Sequence, residues 1–167
     1  MSNQAFATTD DEEISWADIT IVFSLDNSIT FEMVECEGLK WDGKVECGFS
    51  FGTSGGRALK RTRGKAKYSG SGTFSKSMVD RCEAALAAVA PSRGDVKLIS
   101  VPSFSVVVQH KTISNPGVVY QTELIGCRWL GNSEDNKEGT DALFQEVPLD
   151  PIDVIKTLAN GTRVSLL

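Results

Sequence analysis

Apolar residues alternate with polar or smaller ones along "DITIVFSL", Asp18 to Leu25, where Ile19, Ile21, Phe23 and Leu25 fall at every second place. That period puts all four on one face of a half-buried strand. The next stretch, "SITFEMVEC", carries Ile29, Phe31 and Met33, and its connection can be sized by requiring both apolar sets to share a face. A two-residue loop at Asp26-Asn27 would set Phe23 against Thr30, whereas a three-residue loop Asp26-Asn27-Ser28 sets Phe23 against Phe31. The pattern predicts the three-residue loop. Asp42-Gly43 is a two-residue hairpin signal, so "KVECGFSF" is expected to fold back as a third strand.

In "KAKYSGSGTF" the alternating set is Ala66, Tyr68, Gly70, Gly72 and Phe74. Glycine at successive inward places leaves that face bare, which suits a bend or the close approach of another backbone or subunit. "SMVDRCEAALAAVAPSRG" reads as the one helix, near 77–90, with Ser77 and Asp80 as a capping box and Pro91 and Gly94 as its stop. Met78, Cys82, Leu86 and Val89 share one face, and a stripe of that kind packs on a sheet.

"VPSFSVVVQH" and "GVVYQTELIGCRWL" then read as a strand pair joined through Pro116 and Gly117, placed as in a type II turn. Gly131 to Ala142 is a polar acidic loop, and "LFQEVPLDP" returns to strand. At the end of the chain two readings stand: a short helix framed by Asp150-Pro151 and Gly161, or a hairpin turning at Asn160-Gly161. Strands, one helix and strands again, with no βα alternation, predict a mainly β fold with one central α-helix, an antiparallel β-sandwich or barrel. A chain of 167 residues makes one domain of this kind, residues 18–167, behind an acidic N-terminal arm, 1–17, containing Asp10, Asp11, Glu12 and Glu13.

Composition narrows the functional classes. Hydrophobic residues make up 41% and charged residues 23%, which is globular. No apolar run nears the roughly 20 residues of a membrane helix, and the start lacks a secretory pattern, so a cytoplasmic chain without membrane insertion is expected. Seventeen basic against 22 acidic residues give a net charge of −5, which opposes general binding to polyanions. The four cysteines, Cys36, Cys47, Cys82 and Cys127, match neither zinc-site spacing nor a disulfide framework, and read as buried free thiols. With a turn at Asp42-Gly43, Cys36 would lie opposite Phe49 and Cys47 opposite Gly38, a diagonal placement that does not favour a bridge.

"SFGTSGGRALKRTRGKAKYSGSGTFSKS" looks like a phosphate cradle, but Gly64-Lys65 is followed by Ala66 and then a strand. The magnesium-binding hydroxyl and the following helix of that motif are both missing. Six cations in eleven positions, Arg57, Lys60, Arg61, Arg63, Lys65 and Lys67, suit a nucleic-acid arm better. Stacking rings are sparse there, however, since Tyr68 and Phe74 stand where the core could claim them. A solvated loop or a charged subunit contact is the plainer reading. His110 is the only histidine, and the carboxylate pairs Asp42 and Glu46, or Asp135 and Glu138, are of a common exposed kind. No enzyme, cofactor or metal site is expected.

Taken together, "RTRGKAKYSGSGTFSKSMVDRCEAAL" and "YQTELIGCRWLGNSEDNKEGTDALFQEVPL" resemble the tail tube proteins of contractile-tailed bacteriophages, over about Asp18 to Leu149. The resemblance implies a virion subunit assembled in the host cytoplasm as hexameric rings. These stack into a tube whose sheets join between subunits, and it meets sheath, tape-measure and baseplate or terminator proteins. Double-stranded DNA would pass through without specific binding. Type VI secretion and bacteriocin tubes are similar in fold. Under this resemblance Arg57, Lys60, Arg61, Arg63 and Lys65 reach a neighbouring subunit and meet Glu134, Asp135, Glu138 or Asp141, while Ser69, Ser71 and Thr73 face the lumen. A monomeric nucleic-acid-binding β-barrel using residues 57–67 is the alternative.

Overall fold

In the computed structural model, strand β1 (Ile19–Leu25) pairs antiparallel with β2 (Ile29–Glu32), and Phe23 stands opposite Phe31. This is the register required by the three-residue connection; residues 26–28 themselves lie outside those the structure describes. Described are residues 19–25, 29–51, 58–62, 64–90, 94–111, 118–131 and 134–165. The acidic arm at 1–17, Arg57, Arg63, and Pro116 with Gly117 therefore fall outside them. The Phe23 and Phe31 rings stack with centroids 4.9 Å apart, and Phe104 closes on Phe23 at 4.7 Å.

β1 also pairs with β7 (Phe104–Lys111), which pairs with β8 (Val119–Cys127). The C-terminus resolves in favour of the hairpin. β10 (Asp153–Thr157) pairs with β8 and with β11 (Arg163–Ser165), and Gly161 adopts the positive φ of 81° that the turn demands. The result is an antiparallel six-stranded sheet in the order β11-β10-β8-β7-β1-β2.

The predicted turn at Asp42-Gly43 is not there. Strand β3 (Cys36–Val45) runs straight through both residues and pairs with β6 (Ala66–Ser75), placing Trp41 opposite Gly70, Asp42 opposite Ser69 and Gly43 opposite Tyr68. A local turn would have satisfied only a few backbone groups, whereas the distant partner satisfies a ladder from Cys36 to Val45. The predicted third strand is consequently split: Lys44 and Val45 end β3, and Phe49–Phe51 form a separate β4 paired with β5 (Ala58–Arg61). Cys36 stands opposite Phe74 rather than Phe49. β9 (Phe144–Pro148) completes a three-stranded sheet, β3-β6-β9.

Helix α1 (Lys76–Val89) follows β6 directly. Its N-cap is Ser75 and not Ser77, because the Ser75 hydroxyl accepts the Met78 amide at 3.2 Å. Ser77 instead donates to the Glu35 carboxylate, as Ser75 also does. Met78, Val79, Cys82 and Leu86 are buried, with Val89 packed at the margin. The bare places on β6 are filled from within the chain. A Cβ on Gly72 would lie 2.2 Å from the Phe74 ring, and one on Gly70 would meet Pro151 at 3.5 Å. Both sheets and the helix share one core around Phe23, Phe74, Leu86, Leu124 and Val147. The fold is thus mainly β with one α-helix among the described residues, its sheets ending openly at β2 and β11 and at β3 and β9.

Candidate assembly surface

β9 pairs with β6 only from Ser71 to Ser75, so beyond Gly70 the hairpin continues as two strands alone. Backbone bonds carry it across an irregular zone, from the Glu46 amide to the Lys65 carbonyl at 3.0 Å and from the Thr62 amide to the Gly48 carbonyl at 2.8 Å. β3 with β6 and β4 with β5 therefore form one long arm. Glycine is required at its irregularity, since a Cβ on Gly64 would fall 0.8 Å from the Glu46 carbonyl oxygen.

The arm exposes what a soluble monomer buries. Phe49 is 52% exposed, Phe51 65%, Val45 42% and Trp41 38%. Beside them Lys60, Arg61, Lys65 and Lys67 are all exposed or borne on the arm's outer part, and the Arg61 guanidinium sits over the Phe49 ring at 5.5 Å. Sequence reasoning missed these apolar side chains because it folded "KVECGFSF" back onto the domain. The signal that could have found them is the basic stretch itself, from which Lys60 and Arg61 come to lie opposite Ser50 and Phe49.

The acidic residues expected to meet the arm lie elsewhere in the same chain. Glu134 pairs with Lys76 at 3.5 Å and Asp135 with Lys137 at 2.7 Å, while Glu138 and Asp141 are exposed; among the described residues no ion pair joins any of them to the arm's cations. Ser69, Ser71 and Thr73 share the polar face of the small sheet. Ser69 is exposed, and Ser71 donates at 2.8 Å to Glu146, which also pairs with Lys40 at 2.8 Å. Those contacts, the lysine first, hold the Glu146 carboxyl below the usual carboxylate range. Ser75, two residues further along β6, is buried at the helix cap.

Other titratable groups are shaped by packing. Burial pushes Cys36 up to about 11 and Cys82 and Cys127 up to about 12, the values of inert thiols; Cys47 is exposed on the arm. His110 stacks on Tyr120 at 4.9 Å and is held below its ordinary value by burial, then by Lys156. Burial, then Asp80, raises Glu83. Tyr68, buried, donates to Asp153 at 3.2 Å, so the core does claim it.

No protein-family model matches the chain, and no curated protein matches it in sequence. Solved structures do. A chain of the PVC sheath-tube complex, an extracellular contractile injection system in its extended state, superposes with a TM-score of 0.61 at 10% identity, over 93% of this chain and 97% of that one. A chain of the PVC sheath/tube terminator matches with a TM-score of 0.57 at 10% identity, over 87% and 96%. The fold is tail-tube-like. A chain of the anti-feeding prophage baseplate, solved with six-fold symmetry, adds a TM-score of 0.54 at 12% identity, over 83% and 91%. Among the described residues of this fold, both sheets end in unpaired edge strands and the arm's rings are exposed.

Proposed function

We propose that this chain is a structural subunit of a contractile-tail tube, forming stacked hexameric rings around a conduit for the genome. The supporting observation is the arm: a two-stranded extension with Phe49, Phe51 and Val45 open to water, in a fold shared with components of contractile injection systems. Covering those rings and pairing the free edges of β2, β3, β9 and β11 with other copies removes apolar surface from water and satisfies open backbone groups. Six-fold arrangement is the symmetry of the baseplate to which one similar chain belongs. Sheath, terminator, tape-measure and baseplate proteins are the partners of this reading, in the tail, after assembly in the host cytoplasm. The role is assembly, without catalysis.

The arm's cations meet acids of a neighbour such as Glu138 and Asp141, setting register more than affinity. Ser69, Ser71 and Thr73 give the conduit a polar wall, with the Lys40–Glu146 ion pair beside Ser71, and a net charge of −5 disfavours retention of passing DNA. Negative-stain microscopy of concentrated protein tests the reading: rings or tubes are expected, and a strictly monomeric species at every concentration would overturn it.

Arg61 stacked on Phe49 favours a second reading, a monomeric grip on single-stranded nucleic acid. Steeply salt-dependent DNA binding by a monomer would select it over the tube.

A further inference from the structure

Among the described residues three buried side-chain atoms have no hydrogen-bond partner: Glu83 Oε1, Trp129 Nε1 and Gln145 Oε1. The elements that carry them adjoin. Glu83 is on helix α1, which packs on β9, and Gln145 faces the core from β9. Trp129 follows β8, where the Leu130 amide binds the Pro148 carbonyl at the end of β9. The Trp129 indole stands beside the Glu83 carboxyl and favours its charged form, yet Nε1 and Oε1 close no hydrogen bond. With Glu83 ionised the set holds one donor, the indole N–H, against two acceptors, and one acceptor stays unpaired however the side chains turn.

The charges around Glu83 favour its neutral form. Asp80 on the same helix and Glu134 on the segment before β9 both oppose its ionisation, and Lys76 is drawn away to Glu134 at 3.5 Å and to the Asn136 side-chain oxygen at 3.0 Å. Arg81 lies over the Phe31 ring, and Glu146 of β9 pairs with Lys40. We infer that Glu83 is a proton-operated latch: as a neutral carboxyl it accepts from Trp129 and donates to Gln145, and as a carboxylate it loosens that flank of α1. A solvent proton added at Glu83 supplies the missing donor; nothing is oxidised and no group leaves. The latch ties α1 and the Trp129 segment to β9, an edge strand, and does not depend on the tube reading. Burial first, then Asp80, raises Glu83, so its contribution is complete in acid and is lost as pH climbs through its folded value, the opposite of Glu35.

Two measurements on dilute full-length protein test this. The Trp129 indole ¹H–¹⁵N signal, assigned by its loss in Trp129→Phe, should move with pH about a midpoint above the ordinary glutamate value, and should stop moving in Glu83→Gln. Asp80→Asn should lower that midpoint without abolishing the titration. In urea unfolding, Glu83→Gln, whose amide donates and accepts as the protonated carboxyl does, should raise the midpoint at neutral pH and match the parent in acid. An indole signal that stays fixed, or that titrates equally in Glu83→Gln, would overturn the inference. A lower neutral-pH midpoint for Glu83→Gln would do so too, since the carboxylate would then already be paired.

Discussion

Replacing Phe49 and Phe51 together by serine isolates what the arm contributes. The rings are 52% and 65% exposed, so with about 200 Å² per phenylalanine side chain roughly 230 Å² is open to water, worth about 6 kcal/mol at ~25 cal/mol per Å² if fully covered. Covering half of it contributes about 3 kcal/mol per joint, and losing that raises the critical concentration for polymer roughly a hundredfold. Neither ring belongs to the core, so the unfolding free energy of the monomer should stay within about 0.5 kcal/mol of the parent. Sedimentation across a concentration series reads the first quantity and thermal unfolding of dilute protein the second. A critical concentration shifted by less than about threefold, with unfolding unchanged, would show that the arm's apolar surface is not what holds copies together.

Gly64→Ala places a methyl group against the Glu46 carbonyl, so the arm must change course; tubes should fail to form while the core unfolds as before, and normal tubes would refute the arm's fixed path. Ser75→Ala removes the helix cap and should lower stability by about 1 kcal/mol in urea unfolding; an unchanged midpoint would refute the cap. Glu35 is held below the usual carboxylate range by hydrogen bonds from Ser75 and then Ser77. Its contribution is therefore complete at neutral pH and is lost as pH falls through its folded value. Glu35→Gln should lower the urea midpoint at neutral pH, with the gap closing in acid; a gap independent of pH would refute a charge effect. Among the described cysteines, Cys47 should be the one labelled quickly by a thiol reagent in native protein, and Cys36, Cys82 and Cys127 only on unfolding; quick labelling of any of these three would contradict their burial.

What was legible in the sequence was whatever a single period decides. Placing Phe23 opposite Phe31 needed only two alternating runs and a shared face, and the helix needed only Met78, Cys82 and Leu86 at helical spacing. Its cap was displaced by two residues because Ser75 and Ser77 are both good caps locally. Glu35, distant in sequence, binds both hydroxyls, while the strand geometry of β6 leaves Ser75 at the junction. The Asp42-Gly43 error has the same root: a two-residue turn is read locally, while the competing ladder to β6 involves residues more than twenty positions away.

That error also hid the candidate site, for a physical reason beyond register. Phe49 and Phe51 alternate with polar neighbours as an inward-facing strand does, and a pattern of that kind records burial without saying in which molecule. In the domain core such rings would be buried; here the chain carries them past its own sheet, on β4, where they stay open to water. The basic residues opposite them follow the same logic. Rings open to water on a strand edge are kept from indiscriminate pairing by charge beside them, and Lys60 and Arg61 on β5 supply it, Arg61 with its guanidinium over the Phe49 ring. Alternation, exposure and flanking charge are therefore consistent with each other once the unit that buries the rings is taken to be the assembly and not the chain.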